Sequence, residues 1–167
     1  MISGLVLPFT PFHLGPGLAF GLALRRRLHA PTFIIANLIV DVEPFIILLL
    51  KLRLPLHWVL HSLLGALSLG ILLAFTMYSL RKYFTDFFRV LRLEYSDLSL
   101  KNYVLAGTTG TLFHVILDYP LYSDIKPFYP LTYNPLYNPN LTIQIYMFCS
   151  IMFILGLIEY MILLLKR

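Results

Sequence analysis

The stretch 31–50 reads PTFIIANLIVDVEPFIILLL. An α-helix needs about 20 predominantly apolar residues to cross ~30 Å of bilayer hydrocarbon, and this run has that length without one basic side chain. It nevertheless holds two carboxylates, Asp41 and Glu43, followed at once by Pro44. A charge at that depth is costly unless it is partnered, so the run reads as a membrane helix that carries a site. Asp41 and Glu43 are two residues apart and diverge on a straight helix. Pro44 offers no backbone N–H and clashes with the preceding turn, so a break is predicted there that turns both carboxylates inward.

Four further apolar runs flank this one, at 7–24, 54–80, 98–117 and 141–165, the first interrupted by Pro8, Pro11 and Pro16. The 167 residues are 59% hydrophobic and 13% charged, and their mean hydropathy is +0.79. That composition excludes a water-soluble globule, and the length leaves no room for a bundle plus a soluble catalytic domain. The expected fold is a single all-α domain over 1–167, a polytopic transmembrane helix bundle of about five spans. Between the third and fourth runs, over 81–101, Tyr83, Phe84, Phe87 and Phe88 alternate with Arg, Lys and Asp, as in a cytoplasmic interfacial amphipathic helix. Ser96 and Ser99 are caps for the helix that follows. The Tyr-, Pro- and Asn-rich stretch 119–140 cannot be helical and reads as an extracytoplasmic loop with an aromatic belt. Gly15, Gly17, Gly21, Gly107 and Gly110 read as close-packing positions, which also permit a homo-oligomer.

The 13 Lys and Arg orient the bundle. With the N-terminus outside and the C-terminus inside, only Lys51, Arg53 and Lys126 fall on the outer side, so the chain reads as a multi-pass plasma-membrane protein. Arg25, Arg26 and Arg27 follow the first apolar run instead of preceding it, which argues against a cleavable signal peptide. The net charge of +5 therefore speaks of topology, and nucleic acid is not an expected partner. Cys149 is the one cysteine, so a disulfide within the chain and a thiolate metal cage are both excluded.

Ionisable residues within the runs form a set: His13 on the first, Asp41 and Glu43 on the second, His57 and His61 opening the third, His114 and Asp118 closing the fourth. The topology sends all of them toward the outer leaflet, with Asp41 nearer mid-membrane. His29, in the basic inner loop, stands apart. His57 with His61, and His114 with Asp118, are four residues apart, which on a helix places each pair on one face to grip one ion. Asn37, Ser62, Thr108, Thr109 or Thr111 can satisfy any one of these groups, but a cation is the economical partner for the whole set. The imidazole content favours a divalent metal, zinc before manganese, as one or two ions.

Such a centre suits hydrolysis of a lipid ester or phosphoester near the outer leaflet, with Asp41 or Glu43 as the base and a phospholipid of the bilayer as substrate. Lys51, Arg53 or Lys126 can meet a lipid phosphate, although interfacial snorkelling explains each, and Trp58 reads as an interface anchor. Three other classes fit the same residues: a haem-binding protein with axial histidines, a non-catalytic scaffold stapled by metal, and an ion-coupled transporter.

The N-terminal His before a Gly-rich helix, the acidic pair, His-Trp-Val-Leu-His-Ser at 57–62 and Phe-His-Val-Ile-Leu-Asp at 113–118 together resemble the membrane-bound metal-dependent hydrolases. That family is also described as LexA-binding, inner-membrane-associated hydrolases, distantly related to zinc-dependent phospholipase C. The resemblance spans residues 12–130 and implies that His13, Asp41, Glu43, His57, His61, His114 and Asp118 are metal ligands or their immediate neighbours. Where the family has Asp-x-Asp followed by His, this chain has Asp41, Val42, Glu43 and Pro44. Trp58 and Leu60 stand where Arg and Thr are expected. The first change removes a ligand and the second a phosphate clamp, so both bear on catalysis more than on metal binding.

Overall fold

A computed structural model describes residues 11–93 and 98–166. A 3-10 turn, Pro11–His13, runs into α1 (Leu14–Ala23). Then follow α2 (Ala30–Ile39), α3 (Val42–Leu49), α4 (Leu63–Ser79), α5 (Arg81–Val90), α6 (Leu100–Asp118) and α7 (Thr142–Leu165). No strand occurs among the described residues, so the expected all-α class holds.

Two segments are by themselves long and apolar enough to cross a membrane: Ala30–Leu49, which is α2 and α3 in line, and Pro139–Leu165, which is α7 with the short turn before it. The pair α4 and α5 meets the same standard only jointly and is bent by 85°. The other expected runs fall short for local reasons. α1 has 10 residues, and α6, with 19, carries Lys101, Asn102, His114 and Asp118.

The third run does not begin as a helix at residue 54. α4 starts at Leu63, where the Ser62 hydroxyl accepts the Gly65 N–H at 3.0 Å and caps it. Pro55 cannot continue a ladder, and the N–H groups of Trp58 and Leu60 are both taken by the Glu43 carboxylate, each at 2.9 Å. His57 and His61 therefore sit in a loop, and the expectation that they share one helical face is corrected. The Ser99 N–H donates to Asn102 Oδ1 at 2.8 Å, closing the cap expected at α6, while Ser96 lies outside the described residues. α5 is amphipathic as expected, with Phe88 buried in the core beside Met77 and Tyr103, and with Tyr83 and Val90 outside. Residues 119–138 form turns without an α-helix, tied by the Asn134 amide to the carbonyls of Tyr119 and Tyr122.

The helices pack in the order α7, α1, α2, α6, α4. Glycines set the spacing: a Cβ on Gly107 of α6 would overlap the Gly70 carbonyl of α4, and one on Gly110 would come 2.5 Å from Ala36 Cβ on α2. On the other side Gly15 of α1 lies against the Cys149 carbonyl of α7. These are helix contacts, as the sequence suggested. α7 touches the bundle along one stripe and exposes Ile154, Leu155, Ile158 and Met161 on the rest, a continuous apolar face.

Candidate metal centre

Between α2 and α3 the chain tightens. The Asp41 N–H donates to Leu38 O at 3.2 Å and the Glu43 N–H to Val40 O at 3.1 Å, both reaching back three residues, and Pro44 enters the first turn of α3, where its missing N–H costs nothing. Val42 points outward while Asp41 and Glu43 are 3% and 9% exposed, so the expected break turns both acids inward. Across from them α6 presents His114 and Asp118 one turn apart, and the 57–62 loop brings in His61.

Ligand atoms of Asp41, His61, His114 and Asp118 lie within 4.8 Å of one another, and all four residues are buried. His114 Nε2 is 3.4 Å from Asp41 Oδ1 and 3.2 Å from Asp118 Oδ2, and His61 Nε2 is 4.0 Å and 3.8 Å from the same two oxygens. Four tetrahedral ligands about 2.1 Å from a zinc ion stand roughly 3.4 Å apart, so the group needs only small adjustment to close on one ion.

The hydrogen bonds behind these ligands fix their state. His61 Nδ1 lies 2.9 Å from Glu43 Oε2, and His114 Nδ1 lies 2.8 Å from the Asn37 carbonyl oxygen. Both partners only accept, so each imidazole donates its Nδ1–H and turns the Nε2 lone pair inward. His61 Nε2, His114 Nε2 and Asp41 Oδ2 have no hydrogen-bond partner although buried. Acceptors facing acceptors in a buried site call for a cation, and this donor set suits a divalent ion with a preference for nitrogen and oxygen.

The remaining expected residues surround this group. His13 Nε2 donates to Asp118 Oδ1 at 2.9 Å and its ring lies against His114, centroids 3.9 Å apart. Glu43 spends both oxygens on Trp58, Leu60 and His61, which makes it the anchor of the His61 loop. His57 stands one ring away from His61, centroids 4.7 Å apart, with Nδ1 turned to another residue, Asp124, at 3.0 Å. Asn37 contributes its backbone carbonyl, while Ser62, Thr108, Thr109 and Thr111 direct their hydroxyls to main-chain carbonyls and leave the ionisable set alone. His29 is remote, capping α2 through Thr32 and stacked on Tyr103.

Asp124 escaped the sequence reading. It is the sole acid in 119–140, and that signal was present but masked by the aromatic and proline content of the stretch. One Asp124 oxygen takes the His57 ring and the other the His57 N–H at 3.1 Å. Burial pushes the Asp124 carboxyl up, but the His57 hydrogen bonds and charge outweigh it and hold the group below its ordinary range. Tyr122, from the same stretch, stacks on His57 at 4.1 Å. Its phenol is pushed up by burial first and then by the negative charge of Asp118, with Tyr146 and Asp41 adding to it.

No protein-family model, curated protein or solved structure matches this chain.

Proposed function

We propose that the protein is an integral membrane hydrolase whose single divalent metal, zinc by its ligand chemistry, is held by Asp41, His61, His114 and Asp118. The observation that carries this reading is the set of buried, unpartnered atoms at the centre, His61 Nε2, His114 Nε2 and Asp41 Oδ2, while His61 Nδ1, His114 Nδ1 and Asp118 Oδ1 are each committed to a partner behind the group. When bound, such an ion lowers the pKa of a coordinated water and polarises an ester or phosphoester. Glu43 and the Asn37 carbonyl orient the two imidazoles, and His13 holds Asp118.

A lipid substrate is supported by a cleft of about 390 Å³ beside the 59–62 segment, bounded by Leu60, Ser62, Leu64, Ser68, Leu72 and Tyr129. The Ser62 and Ser68 hydroxyls donate to Val59 O and Leu64 O, so these walls offer hydrocarbon and suit an acyl chain. In this reading the five apolar runs form the bundle with the N-terminus out, α5 lies along the cytoplasmic surface, and the centre sits toward the outer leaflet. The membrane-bound metal-dependent hydrolases remain the family that the ligand pattern resembles.

The closure of the site favours a second reading. Four protein ligands, each at most 4% exposed, are also what a structural, helix-stapling metal requires. Elemental analysis of detergent-purified protein beside His61→Ala and His114→Ala, with a phospholipid hydrolysis assay on the same samples, separates the readings. Stoichiometric zinc with turnover supports the hydrolase. Zinc without turnover supports the staple, and no metal after resupply defeats both.

A further inference from the structure

We propose that the end of the bundle away from the metal centre holds the head group of an ethanolamine phospholipid, with its ammonium on Glu159 and its phosphate on Arg25 and Lys166. α7 carries a single charged side chain, Glu159, within a segment long and apolar enough to cross a membrane. A carboxylate there is costly unless it meets a cation. Glu159 Oε2 is nevertheless buried and without a hydrogen-bond partner. Glu159 lines a cleft of about 190 Å³ together with Arg25, Ile162, Leu163 and Lys166, so two cations share the cleft with the acid and neither hydrogen-bonds that oxygen. The 10 residues of α1, roughly 15 Å of helix, separate Arg25 from His13, so occupancy of this cleft is independent of the metal.

Local geometry sets the two walls. Glu159, Ile162, Leu163 and Lys166 recur at the spacing of one helix face, so α7 supplies the first. The acid and the lysine are two turns apart on it, roughly 10 Å along the axis, beyond the spacing at which helix neighbours pair. Arg25 supplies the second wall. Of the three consecutive arginines it alone is half-buried, Arg26 and Arg27 being exposed. Its Nη1 donates to Leu22 O at 3.0 Å, which fixes the guanidinium and leaves its other N–H donors for an anion.

Lys166 follows directly on the apolar segment that ends at Leu165, the level at which lipid phosphates lie. Ile158, Met161 and Ile162 are exposed beside the cleft and give an acyl chain its surface. A phosphodiester anion joined by a short link to a primary ammonium matches the two cations and the one carboxylate group by group. The N–H groups of that ammonium supply the donor that Glu159 Oε2 lacks. Choline has no N–H on its nitrogen, glycerol brings no cation, and serine adds a carboxylate beside Glu159.

The test uses the full chain in detergent, stripped of lipid and titrated with palmitoyl-oleoyl phosphatidylethanolamine, phosphatidylcholine, phosphatidylglycerol and phosphatidylserine, with bound lipid counted by native mass spectrometry. The wild type holds the ethanolamine lipid about 10-fold more tightly than the choline lipid, the worth of one charge-assisted hydrogen bond. N-methyl and N,N-dimethyl ethanolamine lipids fall between them in that order. Glu159→Gln brings ethanolamine and choline lipids within about twofold of each other, whereas Arg25→Gln weakens all four, because the phosphate is common to them. Equal binding of the ethanolamine and choline lipids by the wild type overturns the proposal, and is the result expected if Glu159 closes an ion pair within the chain. Tighter binding of the glycerol or serine lipid overturns it too, since it marks a site for anions alone. A preference for ethanolamine that survives Glu159→Gln does the same. The N-methyl series needs only the wild type, so the outcome is decided even where a variant fails to fold.

Discussion

Glu43 touches no other acid of the site, yet it organises one side of the centre by holding Trp58, Leu60 and His61 at 2.9 Å each. Glu43→Gln keeps the shape but cannot accept all three bonds, so metal affinity should fall roughly 10- to 100-fold in a chelator competition; affinity within twofold of wild type would contradict this role. His29 illustrates a different economy. Burial lowers its pKa to about 4, far below the ordinary 6.5 of the unfolded chain. The unfolded state therefore binds more protons below pH 6.5, and stability present at neutral pH is lost as pH falls from 6.5 to about 4. At ~1.4 kcal/mol per pH unit, the loss approaches about 3 kcal/mol. His29→Asn, which still caps α2, should flatten thermal melts over that window, and an unchanged slope would assign the pH dependence elsewhere.

Among the elements, the α4–α6 contact has the least slack. Gly70 and Gly107 bring two backbones together, so a Cβ on Gly107 meets a carbonyl that cannot swing away. Gly107→Ala should cost on the order of 1–3 kcal/mol and lower the melting temperature, whereas a neutral result would mean the helices are not in contact there. The two helix breaks were unequally legible. The one at Pro44 is local chemistry and was foreseeable, since a proline and two acids mark it. The late start of α4 depends on Glu43, fifteen residues from Trp58, and on Pro127, whose carbonyl accepts the Leu63 N–H at 2.9 Å. No periodicity in 54–62 encodes partners so remote.

For the whole molecule, the metal group joins three separate segments: the α2–α3 junction, the loop before α4, and the end of α6. Removing the ion should loosen all three at once. With metal at 100 times its Kd, chelation should forfeit about 2.7 kcal/mol and lower Tm by roughly 5–10 °C for a chain of this size; an unchanged Tm would deny the metal any hold on the fold. The orientation is tested separately. Lys126 should react with a membrane-impermeant amine reagent in intact cells, and a cysteine placed at Arg26 should not react from outside; the reverse pattern would invert the topology.

The sequence by itself determined the all-α class, the apolar surface and the group of acids and imidazoles from which the centre is drawn. Each of these follows from composition, helix length and the cost of burying charge, which are properties of segments. Tertiary structure alone decided the division of labour within that group. Asp41, His61, His114 and Asp118 close on a common point, Glu43 and His13 stand behind them, and His57 turns to Asp124. The reason is geometric: which edge of an imidazole faces a carboxylate depends on hydrogen bonds between groups 18 to 105 residues apart, and those distances are fixed only when the helices pack.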